Sequence, residues 1–167
     1  GRIAAHRERL AVDGIAANAA ADPRGLAPQA KREEATEACL WMSLPPLLGA
    51  MLMRVVRELE PRSCLELGTG FGVSASYQAA ALELNGSGSL ISLDVEDMAR
   101  IARPALDGLG LGERVEVRGG MIERTLAGAV ADAPPVEFAL LDADHTERGT
   151  LAAFEQLLPA LADRAVL

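Results

Sequence analysis

With 167 residues, half of them hydrophobic and 24% charged, the chain has the size and make-up of one globular domain. A formal net charge of −8 argues against the basic face that nucleic acid or an anionic membrane surface requires. No apolar run approaches a membrane span, Gly1 to Leu10 is too charged for a secretory signal, and Cys39 and Cys64 make no disulfide framework, so a cytoplasmic location is expected.

In chain order, Arg2 to Ala21 is Ala-rich with Ile3, Arg7, Leu10 and Ile15 near helical spacing, and a first helix is expected there. His6 within it carries no functional signal. Asp22-Pro23-Arg24-Gly25 reads as a turn, and Gln29 to Met42 as a second helix. Trp41 either packs or lines a pocket, and packing is the reading preferred. Ser43 is a plausible N-cap, with Pro45 and Pro46 opening a helix to about Leu59. Its buried stripe is expected to be Leu48, Met51, Leu52, Val55 and Val56. Residues 1–43 thus form an N-terminal helical cap segment, and 44–167 a second, larger unit.

Ser63 to Val73 reads Ser-Cys-Leu-Glu-Leu-Gly-Thr-Gly-Phe-Gly-Val, a strand running into a tight glycine turn. A helix follows over Ser74 to Leu84. Ser89 to Leu93 is the second strand and ends at Asp94. A helix over 98–109, a strand over 114–118 and a helix over 122–130 come next. Val136 to Leu141 is a nearly all-apolar strand, as expected where both faces are covered. Glu147 to Leu161 reads as a helix with Leu151, Phe154, Leu157, Leu158 and Leu161 inward, and Arg164 to Leu167 opens a fifth strand. Strands alternating with helices imply an α/β fold, a doubly wound and mostly parallel Rossmann-like sheet with helices before it.

Ligands of such sheets gather at the carboxyl ends of the strands. Four polar clusters fall there: the glycine turn, Asp94, Gly119-Gly120, and Asp142-Ala143-Asp144-His145. The turn reads G-x-G-x-G, because Val73 stands where the dinucleotide fingerprint needs its third glycine. Glu66, two residues before the turn, would repel a pyrophosphate and attract a cation. Asp94 suits a carboxylate accepting two ribose hydroxyls, or else a helix cap. Met121 reads as simple core or as a wall residue at that rim. Asp142, Asp144 and His145 are either catalytic or an ordinary helix start.

Glu66-Leu67-Gly68-Thr69-Gly70-Phe71-Gly72 resembles the first motif of the Rossmann-like S-adenosylmethionine-dependent methyltransferases. Leu141-Asp142-Ala143-Asp144-His145 resembles the motif after the fourth strand in their small-molecule O-methyltransferases, of the catechol and caffeoyl-coenzyme A type and bacterial relatives. The resemblance covers roughly 44–167. It implies S-adenosylmethionine as cofactor, held by Glu66, Gly68, Thr69, Gly70, Gly72, Ser74, Asp94, Gly120, Met121 and Asp142. It implies methyl transfer to a hydroxyl of a small molecule. Asp142 would ligate a divalent metal, usually Mg²⁺. His145 falls where a lysine often stands and would act as base, with Asp144 either orienting the imidazole or contacting the cofactor. Gly120 departs from the family, many of which carry an acid or Ser there for adenine.

The resembled enzymes have about seven strands, with two further metal ligands at the end of the fifth. A chain ending as the fifth opens is expected to be a fragment, or to hide its open face in a homodimer. Two other readings compete: a nicotinamide- or nucleotide-dependent oxidoreductase on a similar sheet, and a non-catalytic interaction module.

Overall fold

The computed structural model describes residues 3, 5, 43–133 and 135–167. The helices expected over 2–21 and 29–42 lie outside the described residues, Ile3 and Ala5 apart, as do His6, Cys39, Trp41 and Met42. From there the chain alternates as α1 (Pro46–Leu59), β1 (Ser63–Leu67), α2 (Val73–Asn85), β2 (Ser89–Asp94), α3 (Glu96–Gly108), β3 (Val115–Gly119), α4 (Ile122–Asp132), β4 (Val136–Leu141), α5 (Glu147–Leu157) and β5 (Leu161–Val166). One 3-10 turn, Leu158–Ala160, joins α5 to β5. The strands form a single parallel sheet in the order β3-β2-β1-β4-β5. This is the doubly wound arrangement that alternation of strand and helix implies.

Strand β1 lies at the centre, and all five of its residues are buried. Side chains alternate across a strand. Cys64 therefore packs with Ala75, Ala79 and Leu82 of α2 and with Ala99, Ala102 and Leu106 of α3. Leu65 and Leu67 face the other way, against Leu126 and Ala129 of α4 and Leu157 of α5. Alanines on α2 and α3 let both helices approach the sheet closely. Burial, helped by repulsion from Glu137 and Glu66, pushes the Cys64 thiol up to about 12, which leaves it an inert packing group.

Four expectations change here. Helix α1 begins at Pro46 after Pro45, with no side-chain cap, so Ser43 is not its N-cap. Of its expected stripe only Val56 is fully buried, while Leu48, Met51 and Val55 are 48%, 57% and 43% exposed. The helix turns Gly49 inward instead, against Tyr77, where a Cβ would come within 2.1 Å of Cε2. Helix α5 stops at Leu157, and β5 starts at Leu161 rather than 164. Pro159 contributes by removing an N–H donor from the α-helical ladder: Leu158 keeps helical backbone, and the chain tightens into the 3-10 turn Leu158–Ala160 before β5. Leu151 and Leu158, expected inward, are exposed.

Candidate active site

β1 and β4 are neighbours in the sheet, yet the helices that follow them lie on opposite faces. The chain diverges there and leaves a crevice at the carboxyl ends of the strands. A cavity of about 760 Å³ occupies it, within the range of small-molecule sites.

The turn after β1 is locked by close backbone approach. Gly68 has φ +100, and a Cβ there would stand 2.3 Å from the carbonyl oxygen of Asp142. No side chain fits, so glycine is required. The N–H groups of Gly68 and Thr69 both donate to the Leu93 carbonyl, at 2.8 and 3.3 Å. Gly70 donates its N–H to Asp94 Oδ2 at 2.6 Å. Gly72, at φ +78, precedes α2 as its N-cap.

Beneath this turn lies a buried polar cluster. Glu66 has no exposed surface. Across the sheet it stands opposite Ser92 on β2 and Leu140 on β4. Ser92 Oγ donates to Glu66 Oε2 at 2.5 Å, and Gln78 Nε2 to Glu66 Oε1 at 2.8 Å. Thr69 Oγ1 lies 2.6 Å from Ser92 Oγ. Burial pushes the Glu66 carboxyl up to about 7; hydroxyls of Ser92 and Ser74 and the Gln78 amide offset it in part, and the Asp142 charge adds to it. Glu66 is not in the cavity wall; Thr69 and Ser74 are.

Asp94 stands in the wall at the end of β2. Its Oδ1 accepts from the Val95 N–H at 2.7 Å and its Oδ2 from Gly70. It does not cap α3, whose N-cap is Val95. One backbone donor on each oxygen leaves acceptor capacity on both. Gly120 is behind the wall; its N–H donates to the Asp94 carbonyl at 2.9 Å, and its φ is +142. Met121 is 56% exposed and belongs to the wall, not to the core.

At the end of β4, the Asp142 N–H donates to the Leu67 carbonyl at 2.8 Å, which holds this turn beside the glycine turn. Asp142, Asp144 and His145 all line the cavity. The cap of α5 is Thr146, whose side chain accepts from the Gly149 N–H at 3.0 Å. Asp144 leans the same way: its Oδ1 accepts from the Thr146 N–H at 3.3 Å, and its backbone sits at φ +35. It makes no hydrogen bond to His145, so the expected orienting contact is absent among the described residues. The side chains of Asp142 and His145 remain uncommitted there. The described residues include no group of three or more His, Cys, Asp or Glu able to hold a metal ion. Among the described residues, Asp142 alone does not make the expected Mg²⁺ site.

Of the expected residues, the cavity gathers Gly68, Thr69, Gly70, Ser74, Asp94, Met121, Asp142, Asp144 and His145; Glu66, Gly72 and Gly120 support it from behind. Sequence reading missed Ser92 and Gln78, although a polar residue amid apolar neighbours was a signal for each. It also missed Ser43, Glu123, Arg148 and Gln156 in the wall, which only the fold brings there.

A family model described as a methyltransferase domain matches residues 65–167. The catechol O-methyltransferase of Niastella koreensis is 32% identical over 105 residues, which make up 62% of this chain and 47% of that protein. An O-methyltransferase from Bacillus cereus, solved in complex with SAH (S-adenosylhomocysteine), superposes with a TM-score of 0.72 at 26% identity, covering 95% of this chain and 62% of that one. The O-methyltransferase TomG from Streptomyces achromogenes, involved in tomaymycin synthesis and solved in complex with SAM, gives 0.62 at 22% identity over 72% and 53% of the two chains, which shows the fold. The chain spans about half the length of the curated relative it matches.

Proposed function

The chain belongs to the methyltransferase-domain family, and from that premise we propose that it transfers the methyl group of S-adenosylmethionine to a hydroxyl oxygen of a small molecule. One observation carries the reading: Asp94 and the glycine turn are joined through Gly70, at the rim of the crevice between β1 and β4. When bound, the cofactor supplies an electrophilic methyl on a sulfonium. The residues present fit it. Glycines bring the backbone of the turn up to the cavity, and the free lone pairs of Asp94 suit ribose hydroxyls. The side chains of Ser74 and Met121 face the same space. Around that space the carboxylates of Asp94, Glu123, Asp142 and Asp144 outnumber the guanidinium of Arg148, a balance that favours a cation over a pyrophosphate and tells against a dinucleotide.

The chain's share of the chemistry is placement and proton handling. His145, uncommitted and exposed to the cavity, takes the proton that the acceptor hydroxyl loses as its oxygen bonds to carbon. Asp142, in the same wall, is an acceptor for a second polar hydrogen of the small molecule, which leaves the reacting hydroxyl's one hydrogen to His145. Holding donor and acceptor in line is the larger contribution. The relatives named above support a small-molecule acceptor, since a catechol O-methyltransferase is among them.

Calorimetry with S-adenosylmethionine on the full-length protein tests the proposal. Micromolar binding is expected, with Asp94→Asn weakening it roughly 30-fold through the lost charge-assisted bonds. Absence of heat at millimolar cofactor would overturn the reading.

A further inference from the structure

We propose that Glu66 is a positioning residue whose charge follows that of the bound methyl donor: it ionises when a sulfonium enters and takes a proton back when the neutral thioether remains. The proposal rests on the S-adenosylmethionine reading above, and it concerns a group the cavity never touches.

Glu66 reaches the cavity through a chain of hydroxyls. Ser92 is bonded to it and Thr69 to Ser92, and Thr69 stands in the cavity wall, as does Ser74, whose hydroxyl also favours the ionised carboxyl. Each hydroxyl has one hydrogen to give. With Glu66 ionised, Ser92 gives its hydrogen to the carboxylate and Thr69 gives its own to Ser92. With Glu66 protonated on Oε2, the chain runs backwards. Glu66 then donates to Ser92, Ser92 donates to Thr69, and the Thr69 hydrogen is released toward the cavity. Gln78 allows the neutral state too. Its Oε1 is buried without a partner, and a half-turn of the amide lets it accept from a protonated Oε1. Both charge states therefore have a hydrogen-bonded arrangement without moving a backbone atom.

The charged groups around Glu66 leave the balance to the ligand. β2 contributes neutral Ser92 here and Asp94 at its end; β4 contributes Leu140 opposite and Asp142 at its end. β1 adds the Cys64 thiol, held neutral by burial. α2 presents only Ser74 and Gln78, and no cation is among the groups acting on the carboxyl. Its midpoint near neutrality is what such surroundings produce, so one added positive charge in a poorly screened site is enough to tip it. Methyl transfer removes that charge: the S–CH₃ bond breaks, its electron pair stays on sulfur, and the O–CH₃ bond forms. The proton Glu66 then takes up comes from solvent, and the acceptor's proton leaves by His145. A neutral Glu66 no longer favours a cation, which helps exchange of spent for fresh donor.

The experiment is calorimetry on the full-length protein with S-adenosylmethionine and, separately, S-adenosylhomocysteine, at pH 6 to 8 in two buffers of different ionisation enthalpy. The sulfonium is expected to bind roughly five- to ten-fold tighter at pH 8 than at pH 6, releasing a proton near pH 7. The thioether is expected to change by less than about twofold over the same range. Glu66→Gln should flatten the sulfonium's slope, while His145→Gln should keep it. Equal pH slopes for both ligands, or a slope that survives Glu66→Gln, would overturn the proposal; the two-ligand comparison needs no variant. Binding heat that is flat in pH overturns this inference alone, whereas no heat at any pH overturns the methyl-donor reading itself.

Discussion

At the carboxyl end of β1, side chains are bonded to one another: Thr69 to Ser92, Ser92 and Gln78 to Glu66, Asp94 to the Gly70 backbone. At the carboxyl end of β4, Asp142 and His145 face the same cavity with no side-chain hydrogen bond among the described residues. The difference separates two tasks. A group that must define a shape is fixed by its neighbours beforehand, whereas a group that must handle a substrate proton is left with its donors and acceptors open. The two ends are not independent, since the Gly68 and Asp142 backbones touch.

That contact gives the most severe way to break the comparison. Gly68→Ala puts a Cβ against the Asp142 carbonyl at a positive φ, where nothing flexible can yield. A fall in melting temperature of roughly 10 °C or more is expected by circular dichroism, with cofactor binding lost. Gly70→Ala is the control: its φ is +52, but nothing lies within 4 Å of the added Cβ, and a cost of about 1 kcal/mol is expected. Similar melting for the two would show that the turns are not coupled.

Next in size is His145→Gln, which tests the open side alone. Turnover should fall roughly 100-fold while affinity for S-adenosylmethionine stays within about twofold. A loss below about threefold in steady-state kinetics would remove His145 from proton transfer.

Glu66→Gln probes the closed side through stability. Glu66 in the fold titrates near 7, above the ordinary value of 4.5. Between those values the unfolded chain is ionised while the folded one keeps its proton, so the native state binds more protons and stability falls as pH rises. The loss begins near 4.5, is nearly complete above 7, and is on the order of 3 kcal/mol at most. Urea unfolding from pH 4.5 to 8 should show this decline in the native protein and a flatter curve in Glu66→Gln. Parallel curves would mean that Glu66 is charged throughout.

The same contrast explains what could be read from sequence. The closed side depends on backbone conformation, and glycines at 68, 70 and 72 announce that in one dimension. Strand ends were equally visible, so Asp94 and Asp142 fell at the rim as expected. Residues that act by facing each other were harder. Ser92 and Gln78 meet Glu66 from β2 and α2, and only sheet register brings them together. Helix α1 misled because it carries more apolar residues than the fold buries: periodicity points Leu48, Met51 and Val55 inward, whereas Gly49 and Val56 face in. Asp144 looked like a partner for His145 by adjacency, but an acid just before a helix is drawn to the free N–H groups at its start.

The smallest expected effect falls between the two sides, at Thr146. Its side chain caps α5 through Gly149, its own N–H is held by the Asp144 carbonyl at 2.7 Å, and Thr150 Oγ1 donates to that same carbonyl at 3.3 Å. These bonds hold the tight turn from which His145 projects. Thr146→Ala removes one of them and should cost about 1 kcal/mol, or a melting shift of roughly 2–4 °C. If the open side needs its mobile groups only roughly placed, turnover will not change. If the base must be aimed, turnover will fall several-fold without loss of cofactor affinity, and Thr146→Ser will restore it. The aimed outcome is expected, because a misplacement of about 1 Å in a reacting geometry costs far more rate than a lost cap costs stability.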